Sequence, residues 1–372
     1  MEEGVRRYWP LVEWIEVMDL LEGRDILPTI RWDGGKVRII DQLLLPHDFR
    51  IVECEEYRDL IEAIKDMRIR GAPAIGIAGA FALALGARSI KEKDMGSFLM
   101  RLKGIASEIS SARPTAVNLE WAVNRLMEKA RRAEDVDSIP DILLSEAEEI
   151  LREDIETSIS IGILGSELIN DGDLVLTHCN TGGLATGGWG TALAIIYEAK
   201  RQGKRVKVFV DETRPLLQGA RLTAWELKRA GIDVSIVCDS SAPYLMRKGM
   251  VSVVLVGADR IARNGDFANK IGTYGLALAA NANGVPFYVA APTSTIDPNL
   301  TDGEGIRVEV RDESEVLSLC GRRIGPEGVG AYNPAFDITP GELVDALITE
   351  KMVVRRPVGE GIGILTRGSD LM

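Results

Sequence analysis

Apolar residues recur along this chain in two rhythms. Up to about residue 140 the spacing is mainly helical, with helix patterns over Tyr57 to Met67, Ala72 to Ala87, Met95 to Ser110 and Thr115 to Arg132. Two strand-like pieces come first, Thr29-Ile30-Arg31-Trp32 and Lys36-Val37-Arg38-Ile39-Ile40, with Asp33-Gly34-Gly35 between them as a hairpin turn. The run Ala72 to Ala87 is too short to cross a bilayer and is broken by Gly76 and Gly79, so it predicts a buried helix. Asp141 to Asn170 sets Leu143, Ala147, Ile150, Leu151 and Ile155 on one face and predicts a connecting helix.

From Asp173 the rhythm changes to short apolar runs separated by helical stretches. Strands fit Leu174–His178, Val206–Val210, Val234–Cys238, Val251–Val256, Val285–Ala290 and Ile306–Val310. Helices fit Thr191–Gln202, Leu217–Ala230 and Asn269–Asn283, with a shorter one near Tyr244. Near-continuous apolar strands alternating with helices indicate a parallel sheet covered on both faces. The expected class is α/β: a Rossmann-like parallel-sheet C-terminal domain with a smaller mixed, mainly helical N-terminal domain. The expected divisions are 1–140, a connecting helix over 141–172, a catalytic domain over 173–356, and a loosely held tail over 357–372.

The chain has 372 residues, long enough for two domains, and its 46% hydrophobic content is that of a soluble globular protein. A net charge of -12 without a basic stripe argues against nucleic acid, but leaves room for a small anion held by a few local cations. Cys54, Cys179, Cys238 and Cys320 lack CxxC spacing and read as free thiols of a reducing cytoplasm. The opening MEEGVRRYWP lacks an apolar signal core, so neither export nor a membrane partner is expected.

The most informative stretch is Asp173 to Gly190, DLVLTHCNTGGLATGGWG. A strand ends in His178-Cys179-Asn180, runs into a glycine-rich loop, and a helix follows. Ligands gather at such carboxyl strand ends. The loop is no nucleotide fingerprint: Gly188 and Trp189 stand where Lys and Ser/Thr would complete a Walker A pattern, and GxGxxG fails at its last position. The strand ends together carry Cys179, Asp211-Glu212, Asp239 and Asp259, a plausible acid/base set. Each has a blander reading, the Cys as a small buried hydrophobe and each Asp as a cap or turn former. Spacing alone does not choose among the four acids. Asp259 differs in following an apolar strand and Gly257-Ala258, where poor solvation would raise its pKa enough for proton donation near neutrality.

Three basic positions suit phosphate: Arg70 ahead of Gly71-Ala72-Pro73, Arg113 ahead of Pro114-Thr115, and Asn269-Lys270 at the start of the helix expected over 269–283. Singly, each reads more readily as a solvated or salt-bridged surface cation; all three flanking helix starts is harder to dismiss. A metal site is not expected, because His47 and His178 are the only histidines, His178 and Cys179 point to opposite faces of a strand, and a chelating pair would need distant carboxylates.

These residues resemble a known family. ThrHisCysAsn at 177–180 with GlyGlyLeuAlaThr at 182–186 is similar to the S-methyl-5-thioribose-1-phosphate isomerases. So are RGAPAIG (70–76), RPTAVNL (113–119), DETRPLLQGARLTAWEL (211–227), GADRIARNGD (257–266), ANKIGTYGLA (268–277) and AAPTSTID (290–297). The matches run colinearly from about residue 25 to 353. Gly188-Trp189 departs mildly from the family's pattern and could alter pocket shape. The resemblance implies Cys179 and Asp259 as the catalytic pair. It implies phosphate and sugar contacts at Arg70, Gly71, Ala72, Arg113, Gln218, Asn269 and Lys270. It further implies no cofactor, a homodimer, a small phosphorylated sugar as substrate, and a place in methionine salvage. Two alternatives share the fold. One is ribose-1,5-bisphosphate isomerase, which would need a further cation. The other is the regulatory subunits of the guanine-nucleotide exchange factor of translation initiation, binding proteins that typically lack the Cys/Asp pair.

Overall fold

The computed structural model describes residues 28–113 and 116–367; the N-terminal segment read for export, and Pro114-Thr115, lie outside the described residues. Strands β1 (Ile30–Asp33), β2 (Lys36–Ile40) and β3 (Ile51–Cys54) form an antiparallel sheet. Asp33 pairs with Lys36, which leaves Gly34 (φ 56°) and Gly35 (φ 99°) as a two-residue turn. A turn with positive φ at both positions is what a tight hairpin needs, and glycine accepts it without steric cost.

Helices α1 (Tyr57–Lys65), α2 (Ala72–Ser89), α3 (Met95–Ser110), α4 (Val117–Arg131) and α5 (Ile139–Ser166) follow. Every residue of α2 from Ala74 to Ala87 is buried, and α1, α3, α4 and α5 all pack on it. Its glycines mark close approaches rather than breaks. A side chain at Gly79 would overlap Leu119, and one at Gly76 would press on the Asn118 backbone of α4. In α5 the stripe read from the sequence (Leu143, Ala147, Ile150, Leu151, Ile155) is buried.

The remaining helices are α6 (Ala192–Arg201), α7 (Ala224–Arg229), α8 (Ala242–Arg247), α9 (Thr273–Asn283), α10 (Ser314–Leu317) and α11 (Val358–Arg367). They accompany a seven-stranded sheet of β4 (Leu174–Thr177), β5 (Lys207–Asp211), β6 (Asp233–Val237), β7 (Val253–Val256), β10 (Phe287–Ala290), β14 (Ala346–Ile348) and β15 (Val353–Arg355). A smaller antiparallel sheet holds β8 (Arg260–Ile261), β9 (Phe267–Lys270) and β13 (Phe336–Thr339), and β11 (Ser318–Leu319) pairs with β12 (Arg322–Arg323).

The large sheet runs β15-β14-β10-β7-β4-β5-β6, parallel except at β15. Counted from β4, its six parallel strands lie in the order 3-2-1-4-5-6, which reverses between β4 and β7 and opens a crevice beyond their carboxyl ends. Alternate residues face opposite sides: Val175, Val208, Val210, Val253 and Leu255 join the core shared with α2 and α5, while Leu176, Phe209, Val254 and Val256 join a second core. Both faces are therefore covered, as the apolar runs required.

Three expectations need correction. Ile306–Val310 is not a strand; Val310 makes only an isolated bridge to Pro334. The sixth parallel strand is β14, Ala-Leu-Ile, apolar at every position as burial on both faces demands. Asn269 and Lys270 do not begin a helix; they end β9, paired with Asp337 and Phe336, and α9 starts only after Gly272 turns the chain at φ 106°. The segment after Pro357 is not loose, because α11 packs Val358, Ile362 and Leu365 into the second core.

Candidate active site

Cys179 and Asp259 follow the two strands that flank the reversal of strand order. Leu176 of β4 pairs with Val254 of β7, so the two chains leave the sheet side by side. Cys179 is buried and takes φ 61°, a left-handed conformation sparsely populated by residues with a Cβ. It is held there by two threonines. Its amide donates to Thr213 Oγ1 (2.9 Å), and Thr223 Oγ1 donates to its carbonyl (2.6 Å). Thr213 is itself at φ 64°, and Thr223 ends a π turn over Gly219–Thr223, a local widening frequent near functional sites.

Asp259 is exposed to solvent yet densely surrounded by protein. This burial raises its carboxyl above the ordinary range, against the opposing charges of Lys270, Arg70 and Arg113. Its backbone amide donates to the Ala268 carbonyl of β9 (2.8 Å), which fixes the loop; among the described residues its carboxylate has no hydrogen-bond partner.

The other acids read from the strand ends are spent elsewhere. Asp211 faces His178 Nδ1 at 3.0 Å. Asp239 accepts from the Thr213 and Arg214 amides at 2.7 and 2.8 Å, the turn-forming role of the bland reading. Glu212 faces the Cys238 thiol. Only Asp259 is left free to act in the cleft.

The cations converge on it. Asp259 lies within Coulombic reach of Lys270, Arg70 and Arg113, and Lys270 within reach of both Cys179 and Asp259. Lys270 is 9% exposed, sits 4.9 Å over the Phe336 ring, and has no ion pair among the described residues. Burial pulls its pKa down, opposed by Cys179 and Asp259. Burial likewise lowers Arg113, whose loose contact with Glu309 is 3.7 Å long. Arg70 donates from Nη1 to Asn180 Oδ1 (2.6 Å) and from Nη2 to the Asn180 carbonyl (2.9 Å), so it is oriented while some of its N–H groups stay free.

Gly71 caps α2 at φ 96° and lies so close to the Ala185 backbone that any side chain there would overlap it, which brings the first amides of α2 against the glycine-rich loop. Ala72 opens that helix. At the α9 terminus two amides are already taken, because Asp337 accepts from those of Gly272 and Tyr274. Asn269 is buried and donates to Thr273 Oγ1. Gln218 sits on the loop that holds Cys179, and its buried Oε1 has no partner. Trp189 packs edge-on against Tyr197 in the main core.

Sequence reasoning missed the residues behind this front. His178 is buried, with Nε2 facing the Ile271 carbonyl at 2.9 Å and Nδ1 facing Asp211. Burial alone would lower its pKa, but the Asp211 hydrogen bond and charge and the Ile271 carbonyl outweigh it and raise it. Carboxylates are therefore close to His178 rather than distant: ligand atoms of His178, Asp211 and Asp239 lie within 4.8 Å of one another. Internal hydrogen bonds already occupy both histidine nitrogens and both Asp239 oxygens, so the trio suits support better than chelation. Two carboxylates brace the glycine-rich loop, the buried Glu226 at the Leu184 amide (3.2 Å) and the half-buried Asp154 at the Gly187 amide (2.6 Å).

A separate cavity of about 520 Å³ opens at the opposite edge of the sheet, lined by Lys200, Lys204, Arg205 and Lys207 among others. Those cations are all paired within the protein, with Gly231, Ser166, Asp171 and Asp233 respectively.

Residues 68–355 match the model of the Initiation factor 2 subunit family. The methylthioribose-1-phosphate isomerase of Pelotomaculum thermopropionicum is 52% identical over 340 residues, covering 91% of this chain and 93% of the relative. Among solved structures, 5-methylthioribose 1-phosphate isomerase from Pyrococcus horikoshii aligns with TM-score 0.87 and 42% identity, covering 91% of this chain and 96% of that one. The translation initiation factor eIF-2B subunit delta of A. fulgidus aligns with TM-score 0.82 and 45% identity, covering 89% and 96%. With strand-end geometry, family match and relatives in agreement, the chain belongs to the Initiation factor 2 subunit family and, within it, to the methylthioribose-1-phosphate isomerases.

Proposed function

We propose that this chain is an aldose-ketose isomerase converting S-methyl-5-thio-α-D-ribose 1-phosphate to S-methyl-5-thio-D-ribulose 1-phosphate, within methionine salvage. One observation carries the reading: Arg70, Arg113 and Lys270 converge on Asp259, with Cys179 in reach of the same lysine. Three cations around an unpaired acid suit a dianionic substrate better than a folded core.

The chemistry fits the groups. An aldose phosphorylated on its anomeric oxygen has no free hydroxyl there, so its ring opens only if an acid protonates the ring oxygen. Asp259, whose surroundings raise its pKa, supplies that proton and leaves a hydroxyl at C4. Cys179 takes the proton from C2, giving a phosphate-bearing enol, and returns it to C1 as the C2 hydroxyl gives its proton to the Asp259 carboxylate and becomes the ketone. Arg70, Arg113 and Lys270 hold the phosphate, the α2 amides at Gly71 and Ala72 add donors, and Asn269 and Gln218 contact the sugar. Packing of Leu184 and Ala185 around the loop limits water that would quench the enol.

The likeness to the A. fulgidus initiation-factor subunit favours a second reading as a binding subunit. The Cys179/Asp259 pair has no purpose there. Purified protein assayed with S-methyl-5-thioribose 1-phosphate and ribose 1,5-bisphosphate separates these readings: turnover of the first supports the proposal, turnover of the second alone replaces it, and capture of an initiation factor without isomerisation reverses it. Solvent deuterium at C1 of the product supports the proton route, and full retention of a C2 label supports a hydride shift instead. A cytoplasmic homodimer is proposed from the family resemblance, with sizing of the purified chain as the test of the dimer.

A further inference from the structure

Glu226 lies on α7, within the helix read from the sequence over Leu217–Ala230, where an acid would ordinarily be solvated. Its carboxyl is instead buried behind the glycine-rich loop, 8% exposed, with no cation bonded to it. Oε1 accepts from Asn180 Nδ2 at 2.7 Å, and Oε2 from the Leu184 amide at 3.2 Å. Asn180 is 2% exposed and turns its opposite end to Arg70, accepting from Nη1 on Oδ1 and from Nη2 on its carbonyl. Arg70, Asn180, Glu226 and the loop backbone thus form one continuous chain of hydrogen bonds.

The loop is shaped around this carboxyl. A Cβ on Gly182 would overlap Glu226 Oε1, and one on Gly183 would stand 3.2 Å from Oε2 while colliding with the Gly188 carbonyl. The paired glycines after Thr181 therefore serve approach by a buried acid. Neither structural ion pairing nor helix capping accounts for Glu226, since it has no cationic partner and its oxygens serve groups beyond β4 and on the loop.

We infer that Glu226 is a positioning residue, which through Asn180 fixes the Arg70 guanidinium and the Gly183–Leu184 backbone around the phosphate of the substrate. The inference rests on the reading above that Arg70 holds phosphate. Glu226 does not touch the reacting atoms. An arginine free to swing loses rotational entropy on binding, and an arginine already oriented does not.

The test uses the full chain, with turnover of S-methyl-5-thioribose 1-phosphate and calorimetric binding of ribose 1-phosphate as parallel readouts. Glu226→Gln keeps the shape but sets an N–H against either Leu184 N or Asn180 Nδ2. The expected result is KM and Kd raised about tenfold, with kcat within about threefold and thermal unfolding little changed. Adding Asn180→Asp reverses donor and acceptor across the contact. The introduced amide can then donate to the introduced carboxylate while still accepting from Leu184, and that carboxylate still accepts from Arg70, with loss only of the hydrogen bond that Asn180 Nδ2 gives to Thr223 Oγ1 (3.0 Å). Recovery of most of the lost affinity in the double variant is the outcome a merely structural role would not give. Unchanged KM and Kd in Glu226→Gln, while Arg70→Ala raises both, overturn the inference and leave the phosphate reading standing. If Arg70→Ala changes neither, both fall. If the wild type does not turn over but Glu226→Gln weakens ribose 1-phosphate binding, the inference stands and the reaction assigned above fails.

Discussion

Thr181 rests against Gly257 so closely that a Cβ on the glycine would come within 2.6 Å of the threonine methyl. Thr181 is two residues past Cys179, and Gly257 two before Asp259, so this contact sets the spacing of the loops that carry Cys179 and Asp259. Replacing Gly257 with alanine should wedge them apart. Displacements of about 1 Å can cost roughly 100-fold in rate, so Gly257→Ala is expected to lower kcat about 10- to 100-fold with little loss of thermal stability. Steady-state kinetics beside a melting curve would reveal it, and near-normal kcat would show that the spacing is set elsewhere.

The pair itself should behave as acid and base. General acid/base groups typically contribute about 10²–10⁴-fold each. Cys179→Ala and Asp259→Asn are each expected to lower kcat by that order while leaving KM close to wild type. A Cys179→Ala enzyme turning over normally would remove the thiol from the reaction.

Lys270 is a buried cation without an ion-pair partner among the described residues, a state that costs stability until an anion arrives. Lys270→Met should therefore melt higher than wild type in the absence of ligand, yet bind substrate at least about tenfold more weakly. Thermal shift with and without ribose 1-phosphate measures both effects. A variant less stable and equally avid would contradict the assignment.

Burial pushes Asp154 up to about 6, although the Gly187 amide opposes the shift. A carboxyl whose pKa is higher folded than unfolded holds its proton more tightly in the folded chain. Its favourable contribution is complete below roughly pH 4, shrinks as pH climbs, and is gone above about 6. Asp154→Asn should flatten the melting temperature between those limits relative to wild type. An unchanged slope would mean that the acid titrates normally.

Much of the architecture was legible in the periodicity of the chain. Five of the six parallel strands fell where the sequence placed them; for the inner ones this is because a strand covered on both sides has no polar face to vary, whereas β6 is a partly exposed edge. Ile306–Val310 misled because an alternating run suits any extended segment, while β14 was too short to stand out. Lys270 carried the right charge but the wrong local structure: its strand depends on pairing with Phe336, far along the chain, which no nearby residue announces. Cys179, Asp259 and the basic positions could be nominated from strand ends and local pattern. Spacing did not choose among the acids; the family resemblance pointed to Asp259, and hydrogen bonds that tie Asp211 and Asp239 to other groups agree with that choice. Glu226 was invisible for the same reason, since an acid in a short amphipathic helix looks solvated until the loop opposite it is known.

Helix α2 has one more consequence, for how the chain is made. Buried from Ala74 to Ala87, it has no side that water can wet along that length, and three of its neighbours, α3, α4 and α5, lie downstream. During synthesis that rod emerges before its covers exist. A nascent chain that stalls short of about residue 166 would expose it, and would be a natural client for a chaperone.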